Sequence, residues 1–214
     1  MAASIYYCAA TLDGFIAEAD DTIGWLTSYE GEPPGDDVEP VEGGYRAFYE
    51  EEVGALVSGS VTYEFILGQL DRDAEWPYMG KPYWVLSSRE LPVPEGEGVE
   101  VRIVDGAVPD LHDEMVASAG AGHLWVVGGG NVASQFADAG LLDEVRVTVV
   151  PVVLGRGKPL FDDRLPGDPM RLRAVLPRVN GMTLVECPDL RTALMMLKLV
   201  SNPVDQGRTD LHIV

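Results

Sequence analysis

A regular alternation of strand-like and helix-like segments most narrows the folds open to this chain. Residues 4–10 (SIYYCAA), 55–59 (ALVSG), 82–88 (PYWVLSS), 99–105 (VEVRIVD), 123–129 (HLWVVGG) and 143–155 (DEVRVTVVPVVLG) read as strands. Residues 42–54, 60–70, 108–120 and 131–140 carry helix signals between them. In the first helix, Tyr45, Phe48, Tyr49 and Val53 recur at helical spacing, with acids on the other face. In the third, Asp110 lies near the start and Gly120 past the end. Strands that alternate with helices need crossover connections, and so a mostly parallel sheet covered on both faces. The chain then changes character. RLRAVLPRV and MTLVEC flank Asn180 and Gly181, the strongest short hairpin signal, so the sheet should end in an antiparallel C-terminal edge. Pro151, inside the long strand 143–155, predicts a bend or an edge there.

The bulk composition excludes several function classes. The 214 residues are 46% apolar, enough for one sizeable core. Residues 1–188 are read as one domain. Residues 189–214, with a helix-like LRTALMMLKLV, are a tail of unclear role within it. Residues 27–44, rich in Pro, Gly and acid, read as a surface loop. No apolar run reaches the roughly 18 residues of a membrane span. The N-terminus has no basic start and Asp13 interrupts its apolar run, so no secretory leader is expected. Cys8 and Cys187 lie in apolar strand-like stretches and read as buried free thiols. These features place the chain in the cytoplasm, with no membrane partner. A net charge of −20 repels nucleic acid. A phosphorylated ligand remains possible, because backbone amides and one or two arginines make a local anion site.

Gly128, Gly129 and Gly130 stand between a strand and a helix. Residues 128–133 (GGGNVA) formally satisfy G-x-G-x-x-G/A. Gly128 and Gly130 would let the backbone approach a pyrophosphate, and the amides opening helix 131–140 would point at its oxygens. The same residues equally make a tight strand-to-helix turn. A standard Rossmann unit is rejected, because no acid ends the next strand and the motif falls late in the chain. His112 and His123 have no nucleophile–acid partner at useful spacing, and no Cys/His/Asp cluster has metal-ligand spacing, so no metal is expected.

Three further stretches carry a resemblance: ATLDGFIAEADDTIGWL (10–26), SGSVTYE (58–64) and WVLSS (84–88). Together with VVGGGNVASQF and VTVVPVVLGRGKPLF, their order resembles the dihydrofolate reductase-like superfamily. The best match is its branch related to the reductase domain of riboflavin biosynthesis deaminase–reductases. The resemblance implies a sheet of about eight strands flanked by helices, NADPH at the carboxyl ends of the strands, and commonly a homodimer. Carried over by position, Gly59, Ser60 and Thr62 meet the cofactor diphosphate, and Ser87 and Ser88 lie beside the adenosine 2′-phosphate. Gly128, Gly129, Gly130, Asn131 and Val132 form the turn and helix start under the pyrophosphate. Leu12, Asp13, Gly14 and Ile16 belong to the loop covering the nicotinamide. One position departs from the pattern. Many relatives carry an arginine where this chain has Ser60; Arg89, just after LSS, is the candidate substitute for the 2′-phosphate, the alternative being a solvated surface arginine.

Candidates on the substrate side are Asp13 and Glu30 as functional acids, Arg156 and Lys158 as cations bordering the pocket, and Trp25 as a pocket wall. Asp13 also reads as a turn former before Gly14. The expected function is an NADPH-dependent oxidoreductase acting on a small heterocycle. Reduction of the ribosylamino-pyrimidine of riboflavin synthesis is favoured by the resemblance. Dihydrofolate reduction, or nucleotide binding without turnover, are the alternatives.

Overall fold

The computed structural model describes residues 2–31, 45–70, 75–162, 173–178 and 181–188. In chain order the elements are β1 (Ser4–Thr11), β2 (Phe15–Ala17), α1 (Gly24–Thr27), α2 (Tyr45–Glu51), β3 (Val53–Gly59), α3 (Ser60–Gln69), β4 (Tyr83–Leu86) and β5 (Val101–Val104). There follow α4 (Val108–Ser118), β6 (His123–Gly128), α5 (Gly130–Asp138), β7 (Glu144–Val150), β8 (Lys158–Pro159), β9 (Ala174–Pro177) and β10 (Thr183–Pro188). Eight strands form one sheet in the order β5-β4-β3-β6-β1-β7-β10-β9. Pairings from β5 to β7 are parallel, and β10 pairs antiparallel with both β7 and β9. This is the α/β, dihydrofolate reductase-like architecture, a mostly parallel sheet with an antiparallel C-terminal edge.

Alternating side chains build a core on each face. On one face Tyr6, Cys8, Ala55, Val57, Leu124, Val126 and Val145 pack with Met115 of α4 and with Val132 and Phe136 of α5. On the other, Ile5, Tyr7, Leu56, Tyr83, Val85 and Trp125 pack with Phe48 of α2 and Tyr63 of α3. A bulge at Gly54 sets the phase of β3. The register shifts between Val53 and Ala55, so Val53 joins Leu56 on the α2/α3 face while Ala55 and Val57 turn to the other. Only glycine fits at that position, because a Cβ on Gly54 would collide with the carbonyl of Ala119 at the end of α4.

Two expectations need correction. The strand expected over 143–155 stops at Val150, because Pro151 cannot donate to the ladder. Beyond it the chain returns as β8 to pair antiparallel with β2, a second, two-stranded sheet that the periodicity did not show. The expected hairpin is present: β9 and β10 pair, and the Arg178 and Gly181 amides donate to Met182 and Arg178 carbonyls (2.8 and 3.0 Å). Asn180, the tail 189–214, and residues 32–44 of the acidic loop and expected helix lie outside the described residues. Cys8 is a buried free thiol, while Cys187 is free but only half-buried. Among the described residues no helix is long and apolar enough to cross a membrane.

Candidate functional site

β3 and β6 are neighbouring parallel strands, yet the helices that follow them leave toward opposite faces. α3 packs with the Tyr7 and Trp125 face, and α5 with the Tyr6 and Val126 face. Their divergence opens a crevice at the carboxyl ends of the strands, a topological switch point where α/β sheets bind ligands. Both helices start at this crevice, and the first N–H groups of a helix have no intrahelical acceptor and favour an anion. Gly59 precedes α3 in an extended conformation, and Gly129 precedes α5 with φ of 87°.

The three glycines turn out to serve different purposes. A Cβ on Gly128 would press on the Thr62 side chain at 3.3 Å, and one on Gly130 would collide with the Pro159 carbonyl oxygen. Gly129 needs its positive φ, but a Cβ there would meet nothing nearer than 3.7 Å. Its neighbours close the protein on itself, while Gly129 lines the cavity and a Cβ there would make only ordinary contacts with Thr62 and Val132.

A cavity of about 440 Å³ fills the crevice. Ile16, Ile23, Leu26, Val61, Phe65 and Ile66 give it mostly apolar walls, with Cys8 and Ala9 from β1 and with Thr62 and residues 128–131 at the helix starts. The β2–β8 ribbon covers one side. It is held by the Leu160 amide donating to the Gly14 carbonyl (2.9 Å) and by the Tyr6 hydroxyl donating to the Leu160 carbonyl (3.1 Å). Lys158 of the ribbon pairs with Asp21 at 3.3 Å. Opposite, the Asn131 amide donates to Asp162 (2.7 Å), whose own backbone N–H donates to Ser134 (2.9 Å). Tyr45 and Tyr78 also line the cavity and are anchored by ring contacts, Tyr45 stacked on Tyr7 at 4.2 Å and Tyr78 against Tyr83 at 5.3 Å. Burial pushes the Tyr78 hydroxyl up to about 12 and raises that of Tyr45 well above its usual value, so both stay protonated at neutral pH. Burial also pushes the Cys8 thiol up to about 12, which leaves it a poor nucleophile.

The structure gathers Ile16, Thr62, Gly128, Gly129, Gly130, Asn131 and Lys158 around this cavity, with Gly59, Ser60 and Val132 immediately behind. Other candidates fall elsewhere. Glu30 is exposed beyond α1 and does not line the cavity, and Arg156 is exposed on the loop before β8. Leu12 points to solvent, 66% exposed. Trp25 is buried against Ala9 and Val150, so it supports the wall through its neighbours Ile23 and Leu26 and does not form it. Asp13 is engaged by the chain itself. Its carboxylate accepts from the Thr11 hydroxyl (2.6 Å) and from the Leu154 and Gly155 amides (3.2 and 2.7 Å). It therefore clamps the loop after β1 to the loop before β8. Sequence reasoning missed Asp21, Tyr45, Phe65, Tyr78 and Asp162. Tyr45 and Phe65 sit in helical patterns that read as ordinary core, and only the tertiary fold turns them to the cavity.

Ser87, Ser88 and Arg89 line a second, open hollow of about 490 Å³ past the end of β4, with Glu90, Leu91, Ile103 and Asp105. The Arg89 amide donates to the Ser87 hydroxyl (3.0 Å), which turns the chain there. Both guanidinium arms of Arg89 bond Glu64 of α3, at 3.0 and 2.7 Å. α3 thus touches the rim of the hollow through Glu64 while its Val61, Thr62, Phe65 and Ile66 line the cavity.

Comparison with known proteins agrees with this fold. The family model described as "RibD C-terminal domain" matches residues 68–184, more than half of the chain. The uncharacterized protein YwjB of Bacillus subtilis is 30% identical over 171 residues, which is 79% of this chain and 88% of YwjB. A solved Shewanella sp. PV-4 protein, whose name assigns it provisionally to riboflavin biosynthesis, superposes with TM-score 0.69 at 30% identity, covering 87% of this chain and 98% of its own. Dihydrofolate reductase of Enterococcus faecalis, solved with NADP(H), shares the fold alone, with TM-score 0.50 at 16% identity, covering 87% and 96%.

Proposed function

The chain belongs to the RibD C-terminal domain family, and from that premise we propose that it is an NADPH-dependent reductase of a small heterocyclic substrate. The observation that carries the reading is the switch point: two helix N-termini converge on one crevice, beside Gly129, which lines the cavity with no side chain of its own. The residues suit a dinucleotide diphosphate. Amides and hydroxyls of residues 59–62 and 129–132 would hold it, with Ser87 and Ser88 toward the adenosine end. When bound, such a cofactor supplies a hydride to a C=N or C=O carbon.

The chain's own residues do the rest. Ile16, Ile23, Leu26 and Phe65 exclude water and hold a flat ring against the cofactor side of the crevice. Tyr45 and Tyr78 stay neutral in the cavity wall and add no charge beside a bound ring. Asp13, held below the usual carboxylate range first by the Thr11 hydroxyl and then by the Gly155 and Leu154 amides, stays ionised and positions the loop that carries Ile16. Within the family reading, the acceptor to test first is 5-amino-6-(5-phosphoribosylamino)uracil.

Titrating NADPH while following tryptophan fluorescence tests the binding half. Wild type should bind, and Gly129→Val, which also strains a backbone of φ 87° and should melt lower, should weaken binding per folded molecule more than about tenfold. A wild type that binds no NADPH ends the reading. A Gly129→Val protein that binds normally reduces the three glycines to a turn. NADPH oxidation with the pyrimidine and with dihydrofolate then separates the activities. Turnover of dihydrofolate alone makes the protein a folate reductase, and binding with neither turnover makes it a non-catalytic nucleotide binder.

A further inference from the structure

Arg89 is the cation assigned to the cofactor's 2′-phosphate, and the structure gives it a partner already. Glu64 faces it from the second turn of α3 and takes both arms of the guanidinium in a fork-to-fork contact. Ser60, at the head of the same helix, adds no charge. The other charged groups lining the hollow are carboxylates, Glu90 after β4 and Asp105 directly after β5. Among the described residues lining the hollow or bonded to its rim, one guanidinium therefore stands against three carboxylates.

That balance distinguishes the two nicotinamide dinucleotides, which differ here by one phosphate. A 2′-phosphate approaching Arg89 must share or displace Glu64, and the displaced carboxylate remains beside the new anion. Glu90 and Asp105 add like-charge repulsion within a Debye length. A ribose 2′-hydroxyl meets the opposite situation. It is neutral, and carboxylates at strand ends accept its hydrogen bond. Lys158 and Asp21, the ion pair lining the main cavity, belong to the β2–β8 side of the crevice, and neither lines the hollow.

We propose that Glu64 is a specificity-determining residue: by engaging Arg89 it cancels the cation of the 2′-phosphate site, so the protein accepts NADH about as well as NADPH. The proposal rests on the reading of the crevice as a dinucleotide site. Glu64 is exposed and its removal leaves the core untouched, so the variant should fold.

The test is the dissociation constant of NADPH and of NADH, by fluorescence titration, for wild type, Glu64→Gln and Arg89→Ala, with a thermal melt of each. In wild type the two constants should agree within about fivefold. Glu64→Gln should free the guanidinium and tighten NADPH about tenfold or more, with NADH unchanged within about twofold. Arg89→Ala, which removes a cation already neutralised, should move the wild-type ratio by less than about threefold. A wild-type preference for NADPH beyond about tenfold, or a Glu64→Gln protein with the wild-type ratio, overturns the proposal and leaves the reductase reading standing. Binding of neither dinucleotide overturns both.

Discussion

The two ends of the sheet use the same residue types for opposite purposes. At the amino end, glycines and charges are spent on the protein itself. A Cβ on Gly54 would collide with the Ala119 carbonyl, and one on Gly122 would stand 2.5 Å from the Gly54 nitrogen. Arg146 of β7 bonds both Glu52 oxygens (2.9 Å each) and Glu144 (2.9 Å), and Arg173 adds a bond to Glu144 at 3.1 Å. The backbone of Ser4 is tied to Asp143 (2.7 Å). At the carboxyl end, two helix N-termini, Gly129 and an apolar cavity are left open. Donors and space that the fold does not consume are what a ligand can use, and this contrast supports the proposed site independently of any resemblance.

The contrast is broken most severely at Gly54. Alanine there meets backbone, which cannot swing away, and it also sits in the bulge that sets the phase of β3. Gly54→Ala should destabilise by about 3 kcal/mol or more in denaturant unfolding. Dinucleotide affinity per folded molecule should be unchanged, whereas Gly129→Val should lose that affinity. A variant unfolding like wild type would show that the α4 end relaxes, and the amino end would lose its claim to be tightly closed.

Arg146 comes next. Its side chain is 11% exposed and that of Glu144 only 9%, so Arg146→Ala leaves a buried carboxylate with Arg173 alone. A loss of about 2–3 kcal/mol is expected, against little for removal of an exposed pair such as Arg46–Glu50. Acid should erase part of this difference. The Arg146 contact holds the Glu52 carboxyl below its usual range, so its contribution is complete above the ordinary glutamate pKa of about 4.3 and is lost as pH falls below that. Equal unfolding free energies of wild type and variant at neutral pH would reject the network as a source of stability.

Much of this contrast was readable in the sequence, though unevenly. The long strands and the helices α4 and α5 show in the periodicity because each buries one face, whereas α3 fully buries only Tyr63 and shows mainly by its place between two strands. The glycine turn shows because few residue types can make it, and the Ser87–Arg89 segment shows only through the family resemblance. The β2–β8 ribbon does not show: strands of three and two residues carry no period, and Ala17 pairs with Lys158 across the whole chain. Gly54 reads as the end of the first helix until Ala119 is seen opposite it. Tyr45, Tyr78 and Asp162 reach the cavity from three separate segments, and Glu64 becomes a partner of Arg89 only when α3 packs beside β4. Local pattern tells which face is buried, and says nothing of which buried or polar groups meet across elements.

Asp13 is where the two uses of polar groups meet, and its effect should be the smallest. It lies at the carboxyl end beside the cavity, yet its carboxylate is consumed internally by Thr11, Leu154 and Gly155. The Thr11 hydroxyl, followed by the two amides, holds its carboxyl below the usual range. A depressed folded-state pKa stabilises above the ordinary aspartate value of about 3.9, and that stabilisation disappears as pH falls through the lower folded value. Asp13→Asn keeps one acceptor oxygen and loses the charge. Its melting temperature should fall slightly at neutral pH, and the gap to wild type should close in acid. Dinucleotide affinity should weaken by about twofold to fivefold as the loop bearing Ile16 loosens, with kcat at saturation unchanged. A gap that persists in acid would mean that the clamp does not depend on the charge. A large loss of kcat with intact affinity would return Asp13 to the reacting centre, and the carboxyl end would then hold one more group reserved for the ligand.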